Sequence, residues 1–434
     1  MTPQLAIYVD IFTLINKGNK VVLLELSKRL QKIIYHKGVF ALSNYGNKVQ
    51  FQVYSSGRKS DIPVSYEEME RLAHEKLAES SFYYIAGGAG KERSMKENRI
   101  AFDKWKIVPR MLCNVTERDI SIKLFGKTYQ SPVLFAPIGV QTIAHPEGEL
   151  EVARAAAALN IPYIASTAAS FSLEKISEVL VDSPKWFQLY WSNDMEITAS
   201  MVKRAEQNGY EAIVITLDTP MMGWREKDIE HAFLPFLQGQ GIANYLEDPV
   251  FCSRLHSSPK DDIESAILLW TRLFGNPSLT WKDLAFLRKQ TNLPILLKGI
   301  LHKDDAILAY ENGMDGIIVS NHGGRQVDGT ISSLDALDNI CNELKGKLPI
   351  LIDSGIRRGA DIYKALAIGA DAILIGRPFM YGLALGGKEG VIQVMKNILA
   401  DFDLTMALSG QKSISELNPS LLVKESDRKQ LQEI

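Results

Sequence analysis

Three cysteines in 434 residues, Cys113, Cys252 and Cys341, are too few and too unevenly spaced for a disulfide framework or a Cys/His zinc site. No metal is expected, and a reducing cytoplasm is the expected compartment. Long apolar runs are missing as well: nowhere do about 18 apolar residues follow one another, the minimum for a membrane span. The apolar start from Leu5 to Ile15 has no basic flank and contains Asp10, so no signal peptide is expected, and the ending Leu-Gln-Glu-Ile is not a peroxisomal address. An excess of charge of one sign is also absent. Lys plus Arg number 49 and Asp plus Glu 51, a net charge of −2, so no general field draws the chain to nucleic acid or an anionic membrane. Finally, no Gly-x-Gly-x-x-Gly, no Walker lysine loop and no His-Glu-x-x-His occurs, which removes the signatures of a Rossmann dinucleotide domain, a P-loop and a zincin.

What is present is a well-mixed globular composition, 46% hydrophobic and 23% charged, able to bury a large core. Eight short runs rich in Val, Ile and Leu recur between polar or glycine punctuation: 133–137, 162–166, 186–190, 212–218, 294–298, 316–321, 349–353 and 372–376. Helix-period segments lie between them, among them 149–159, 196–208, 303–312, 334–344 and 359–368. Eight alternations of β and α predict an α/β fold, a (β/α)8 TIM barrel. Strand starts are 22 to 33 residues apart except for a gap of about 80 after the fourth. That gap holds an insertion over 226–283, at the functional end of such a barrel, where long excursions serve as lids. Ahead of the barrel, Ser65 reads as the N-cap of a helix running to about Ala78, with Glu67 and Glu68 in its first turn. A helical stretch from Glu67 to Tyr84 would end at Gly87-Gly88-Ala89-Gly90, a C-cap and turn. Residues 1–60, with turn-like patches at Asn44-Tyr45-Gly46 and Ser55-Ser56-Gly57, read as an N-terminal extension to a domain spanning 61–434.

In this architecture chemistry sits where strands end. Six of the eight runs end in polar residues that packing does not require: Gln188-Leu189-Tyr190, Thr216-Leu217-Asp218-Thr219, Lys298, Ser320-Asn321-His322, Asp353-Ser354-Gly355 and Gly376-Arg377. The loops after strands seven and eight carry glycines, Arg357, Arg358 and Arg377, which suits a phosphate held by glycine N–H groups, a helix N-terminus and a bidentate cation. Of seven histidines only His322 falls at a strand end, followed by Gly-Gly-Arg325, the makings of a base and a carboxylate clamp. Asp218 suits a partner for that histidine, and Arg225 a second cation. Lys298 ends an apolar strand and requires an anion beside it.

These residues resemble the flavin mononucleotide (FMN)-dependent 2-hydroxy acid oxidases and dehydrogenases. The motifs are Ser320-Asn321-His322-Gly323-Gly324-Arg325-Gln326, Thr216 to Pro220 with Arg225, Gln188-Leu189-Tyr190, Leu297-Lys298-Gly299 and Asp353 to Gly359, in the family's order, within a resemblance running from about Ser43 to Leu417. Within the family the likeness is greatest to lactate 2-monooxygenase, through Ser43 to Gly46, Gly223-Trp224-Arg225, Phe236-Leu237, Asn244-Tyr245, Asp248 to Phe251, Leu273-Phe274-Gly275 and the glycine of Ala136-Pro137-Ile138-Gly139. Lys91, Val327 and the first 42 residues depart from the family pattern.

The resemblance implies FMN as cofactor, His322 as proton acceptor with Asp218 as its partner, and Arg225, Arg325, Tyr84 and Tyr190 around the substrate. It places Pro137, Ile138, Gly139, Ser166, Gln188, Thr216, Ser320 and Lys298 about the flavin, and Asp353, Gly355, Arg357, Gly376 and Arg377 at its ribityl phosphate. The implied partners are an L-2-hydroxy acid such as L-lactate and molecular oxygen, and the implied assembly a homotetramer. A retained keto acid would be decarboxylated, as in the monooxygenase, while a released one would make the enzyme an oxidase, and another electron acceptor a dehydrogenase. A fused haem domain is not expected, since only His36 precedes the helix at Ser65. An isopentenyl diphosphate isomerase or a degenerate flavin-binding protein would need no His-Gly-Gly-Arg site.

Overall fold

The computed structural model describes residues 44–57 and 59–427; Leu5 to Ile15, His36, Ser43 and the C-terminal Leu-Gln-Glu-Ile lie outside the described residues. The eight runs form eight strands: β1 (Val133–Phe135), β2 (Tyr163–Ser166), β3 (Lys185–Leu189), β4 (Ile213–Thr216), β5 (Ile295–Ile300), β6 (Gly316–Val319), β7 (Ile350–Ile352) and β8 (Ala372–Ile375). All neighbours are parallel, and β8 pairs with β1 to close the barrel. Seven helices follow the first seven strands: α1 (Gly148–Leu159), α2 (Leu173–Leu180), α3 (Met195–Gln207), α4 (Leu284–Arg288), α5 (Lys303–Glu311), α6 (Ser333–Leu344) and α7 (Gly359–Ile368). The last, α8 (Arg377–Leu408), is broken at Gly386 and Gly387.

Side-chain alternation along each strand builds two cores. Leu134, Ile164, Trp186, Val214, Leu296, Ile318, Leu351 and Leu374 fill the barrel, together with Ile122, Leu124 and Tyr129 of an antiparallel hairpin. The intervening residues, such as Phe187, Ile215 and Val319, face the helices. Phe125 and Tyr129 of the hairpin pack on Trp186 at ring-centroid distances of 5.7 and 6.5 Å. Trp186 sits near the N-terminal end of β3, so the hairpin plugs that end of the barrel and the strands' C-terminal ends form the open one.

The N-terminal region differs from its sequence reading. Asn44-Tyr45-Gly46 is not a turn between loops but the start of a helix, Tyr45–Ser56, which Gly57 ends. Its apolar and polar residues are poorly segregated, so periodicity gave no signal. The helix is fixed instead by polar contacts: the Gly46 N–H donates to Asp403 Oδ2 at 2.8 Å, and Arg118 pairs with the same buried carboxylate at 2.6 Å. Residues 44–57 thus dock on α8 rather than standing apart as an extension. The stretch 67–84 is likewise two helices, Tyr66–Lys76 and Glu79–Ala86, with Leu77 and Ala78 extended between them; the Ser65 cap and the stop at Gly87 are as expected.

The insertion after β4 is present, but much of it is wall. Ile242, Asn244, Tyr245, Asp248 and Phe251 are buried, and the Ala243 N–H donates to the Ala169 carbonyl at 3.2 Å. Its exposed stretches include 253–261, 263–265 and 271–272, while the segment around Ile242 to Phe251 is largely packed against the barrel.

Candidate active site

The chain leaves β6 through an unusual backbone. His322 has φ 57°, Gly323 64° and Gly324 77°, and Ser354 after β7 has φ 78°. Left-handed non-glycine residues are strained and persist where the surroundings hold them. Here the Ser320 hydroxyl accepts the His322 N–H at 3.0 Å and Ser354 Oγ accepts the Gly323 N–H at 2.9 Å. The turn aims the imidazole into a cleft at the open end of the barrel, about 1380 Å³ measured out to its mouth.

His322 Nδ1 lies 2.8 Å from Asp218 Oδ1, and the Thr219 hydroxyl donates to that oxygen at 3.0 Å. Lys298 Nζ is 3.2 Å from Asp353 Oδ2, 3.9 Å from Asp218 Oδ2, and donates to Ser320 Oγ at 2.9 Å. Burial drives the Asp218 pKa up, but His322, Lys298 and the hydrogen bonds overcome it and hold the carboxyl at about 2. Burial lowers the His322 pKa, with Lys298 and Arg225 adding to it against the pull of Asp218. A neutral ring with its Nδ1–H on an ionised Asp218 leaves Nε2 as a proton acceptor. Lys298 keeps its charge, because Asp353 and Asp218 outweigh its burial.

Positive charge converges on the same cleft. Arg225 donates to the Arg325 carbonyl and to Gln326, and its nearest carboxylate, Asp228, is 3.7 Å away. Arg325 donates to the Gly87 carbonyl and stacks over Tyr84 at 5.2 Å, with no carboxylate ion-paired to it among the described residues. Burial, then Arg225 and Arg377, pull its pKa down to about 9, still charged near neutrality. A guanidinium so placed is completed by an anion. Tyr190, pushed up to about 12 by burial and Asp218, keeps its hydroxyl proton.

Fourteen of the sequence-derived site residues line this cleft: His322, Tyr84, Tyr190, Arg225, Arg325, Pro137, Ile138, Gly139, Lys298, Asp353, Gly355, Arg357, Gly376 and Arg377. Asp218, Ser166, Gln188, Thr216 and Ser320 stand behind them at the strand ends. The arrangement fits FMN. Among the described residues, Gln188 Nε2 is a buried donor with no partner, and Arg357 faces the cleft over the Tyr66 ring at 3.8 Å without an ion-paired carboxylate.

Two parts of the expected phosphate clamp are otherwise engaged. The N-terminus of α7 is filled by side chains: Asp361 Oδ2 accepts the Arg357 and Arg358 N–H groups, and Asp401 the Gly359 N–H. The Arg358 side chain turns to Glu67 at 2.9 Å. The Arg377 guanidinium donates to the carbonyls of Ile85, Gly323 and Gly87, tying the Tyr84 segment to the His322 loop. Of Arg357, Arg358 and Arg377, Arg357 is the one whose guanidinium has neither a carboxylate nor a carbonyl partner among the described residues.

Gly139 is also fixed by packing. A Cβ there would meet the Ala168 carbonyl oxygen at 2.5 Å and Ala168 Cβ at 2.8 Å, so the missing methyl is a packing requirement of the β2 loop. Gly299, at φ 105°, is required in the same way, because its Cβ would meet Asp218 Cβ at 2.6 Å. Sequence reasoning missed Thr219, Met222, Phe236, Phe274 and Ala168 as lining residues. Thr219 was signalled by adjacency to Asp218, whereas the two phenylalanines reach the site only through the path of the insertion.

A family model described as FMN-dependent dehydrogenase matches residues 73–424. The chain is 50% identical over 366 residues to an L-lactate oxidase of Lysinibacillus sphaericus, covering 84% of this chain and 94% of that protein. It is 42% identical over 382 residues to an FMN-dependent alpha-hydroxy acid dehydrogenase of Penicillium citrinum, covering 86% and 95%. Among solved structures it is similar to mandelate oxidase, at 38% identity and TM-score 0.73 over 83% of this chain and 98% of that one. A mandelate oxidase variant with an FMN adduct, at TM-score 0.71 and 38% identity, covers 80% of this chain and 96% of its own.

Proposed function

Because the chain belongs to the FMN-dependent dehydrogenase family and is an FMN-dependent 2-hydroxy acid oxidoreductase, we propose that it oxidises L-lactate or an acid of similar size to the 2-keto acid. The observation that carries this reading is the meeting, in one cleft, of a neutral imidazole held by Asp218 with a half-buried guanidinium that has no ion-paired carboxylate among the described residues. The substrate carboxylate completes Arg325 and Arg225. Tyr84 and Tyr190 offer hydroxyl donors beside it, and His322 Nε2 takes the proton of the substrate as it is oxidised. Met222, Phe236 and Phe274 give the cleft apolar walls that suit a short aliphatic side chain and exclude water.

Ser166, Gln188, Thr216, Ser320 and Lys298 are the residues we assign to the flavin ring, with Pro137, Ile138 and Gly139 against its face. Arg357, Gly355 and Gly376 are assigned to the phosphate, flanked by Asp353 and Arg377. FMN, when bound, supplies the two-electron acceptor. Lys298 provides a fixed positive charge there, held by Asp353.

Molecular oxygen is the acceptor we propose, with pyruvate and hydrogen peroxide released, in keeping with the L-lactate oxidases among the relatives. A second reading is oxidative decarboxylation as in lactate 2-monooxygenase, which the enclosing wall of Phe236 and Phe274 favours by slowing keto acid escape. Two measurements test the proposal. Anaerobic L-lactate should bleach the flavin, and aerobic turnover should yield pyruvate with peroxide. A flavin that stays oxidised under L-lactate excludes the substrate class; acetate with carbon dioxide selects the second reading.

A further inference from the structure

Asn244 belongs to the insertion, is fully buried, and uses its side chain three times. Its Oδ1 accepts the Leu173 N–H at 2.8 Å, while its Nδ2 donates to the carbonyls of Ser166 at 3.1 Å and Thr167 at 3.0 Å. The residue itself is anchored, because its carbonyl accepts Arg204 Nη1 at 2.8 Å. Arg204, on α3, is paired with Glu174 and with buried Asp248, and Asp248 caps the helix Pro249–Ser253. A fixed support therefore reaches across from the insertion to the end of β2.

From that end further bonds lead into the site. Ser166 Oγ donates to Gln188 Oε1 at 2.9 Å and accepts the Ala168 N–H at 3.1 Å. The N–H and the hydroxyl of Thr167 both donate to the Gln188 carbonyl, at 2.9 and 2.6 Å. The Tyr190 N–H in turn donates to Thr167 Oγ1 at 3.0 Å. Ser166 and Thr167 thus orient both Gln188, whose Nε2 has no partner among the described residues, and Tyr190.

We propose that Asn244 is a positioning residue for the cofactor: by holding the Ser166 and Thr167 carbonyls, it fixes the aim of the Gln188 amide at the flavin and, through Thr167, that of Tyr190 at the substrate. The proposal rests on the reading above that Ser166 and Gln188 flank FMN. The chemistry of the position selects an amide. Two backbone acceptors and one backbone donor converge there, and a carboxamide is the complement of that set. A leucine of similar shape would strand all three groups, and a carboxylate would turn oxygen toward two carbonyls.

The test uses the purified holoenzyme. FMN release on dilution is followed by flavin fluorescence, and the visible absorption of the bound flavin is recorded. Asn244→Asp should release FMN faster by roughly 10- to 100-fold, the range for groups that orient a direct ligand. It should also shift the flavin bands and raise the KM for L-lactate. A wild-type release rate with a superimposable flavin spectrum, even beside a lower melting temperature, overturns the proposal and leaves Asn244 as packing. Gln188→Leu separates the two levels. If that variant also releases FMN as the wild type does, the placement of Gln188 at the flavin is wrong and the proposal falls with it. If Gln188→Leu loosens FMN while Asn244→Asp does not, the proposal alone fails. Should Asn244→Asp not accumulate as folded protein, Asn244→Ser, small enough to admit water to the vacated donor positions, carries the same test.

Discussion

At His322, burial competes with the Asp218 carboxylate, and burial wins with the help of Lys298 and Arg225. Since a base works only when neutral, kcat/KM should fall as pH drops through the His322 pKa, and that acid limb should lie below the usual imidazole range near 6.5. Removing a cation removes one of the depressing charges, so Arg225→Met should move the limb upward; a limb at or above the usual range in the wild type would contradict the burial argument. His322→Gln should retain FMN and slow anaerobic flavin reduction by roughly 10² to 10⁴, the usual worth of a positioned base. Asp218→Asn should cost less, because Nε2 stays in place, and stopped-flow reduction of both variants checks the order. Gly139→Ala must displace Ala168, whose carbonyl oxygen would lie 2.5 Å from the new carbon. Overpacking of this kind costs about 1 to 3 kcal/mol, read as a lower melting temperature. His322, Asp218 and Arg325 were legible in the sequence because strand ends concentrate function. The role of Gly139 was not, since a contact with Ala168, 29 positions away, leaves no local trace.

The elements divide along the same line. All eight strands, and the helices at 148–159, 303–311, 333–344 and 359–368, follow from apolar runs and helical period, because their burial is set by neighbours in sequence. The helix Tyr45–Ser56 was not legible, for it is held by Asp403, far along the chain. Nor was the character of the insertion: length and position suggested a lid, whereas Asn244, Tyr245 and Phe251 build it into the barrel wall. Its parts should therefore respond differently to change. Replacing the exposed turn 256–261 by a glycine-serine stretch of equal length should leave flavin reduction and FMN release unaltered. Removing 243–253 should cost bound FMN and solubility, since it strips the Ser166 and Thr167 carbonyls of their donor. If the 243–253 deletion yields a soluble, yellow enzyme reduced at the wild-type rate, the wall reading is wrong and the segment is a removable lid.

For the whole molecule, what happens to the keto acid depends on how it leaves a barrel with one open end. The hairpin around Phe125 plugs the other end against Trp186, so exit runs past Met222, Phe236 and Phe274. Decarboxylation requires the keto acid to remain while oxygen is consumed; an oxidase requires it to go. Two features of the sequence bear on retention: the glycine at Gly139, which resembles the monooxygenase, and the long insertion expected to serve as a lid. Ala168 now accounts for the glycine, and Ile242, Tyr245 and Phe251 of the insertion are packed into the wall. Meanwhile Met222, which lines that exit, is itself exposed to solvent. Release of pyruvate is thus the expected course. Under air, each L-lactate consumed should give one pyruvate and one hydrogen peroxide, measured with catalase omitted, and acetate should stay a minor product. Raising viscosity should slow turnover if product escape limits it, because lid opening and release set kcat in many such sites. Acetate and carbon dioxide in place of pyruvate and peroxide would mean that Phe236 and Phe274 hold the keto acid longer than oxygen takes to react, and the wall of the insertion would then be the element that makes a monooxygenase.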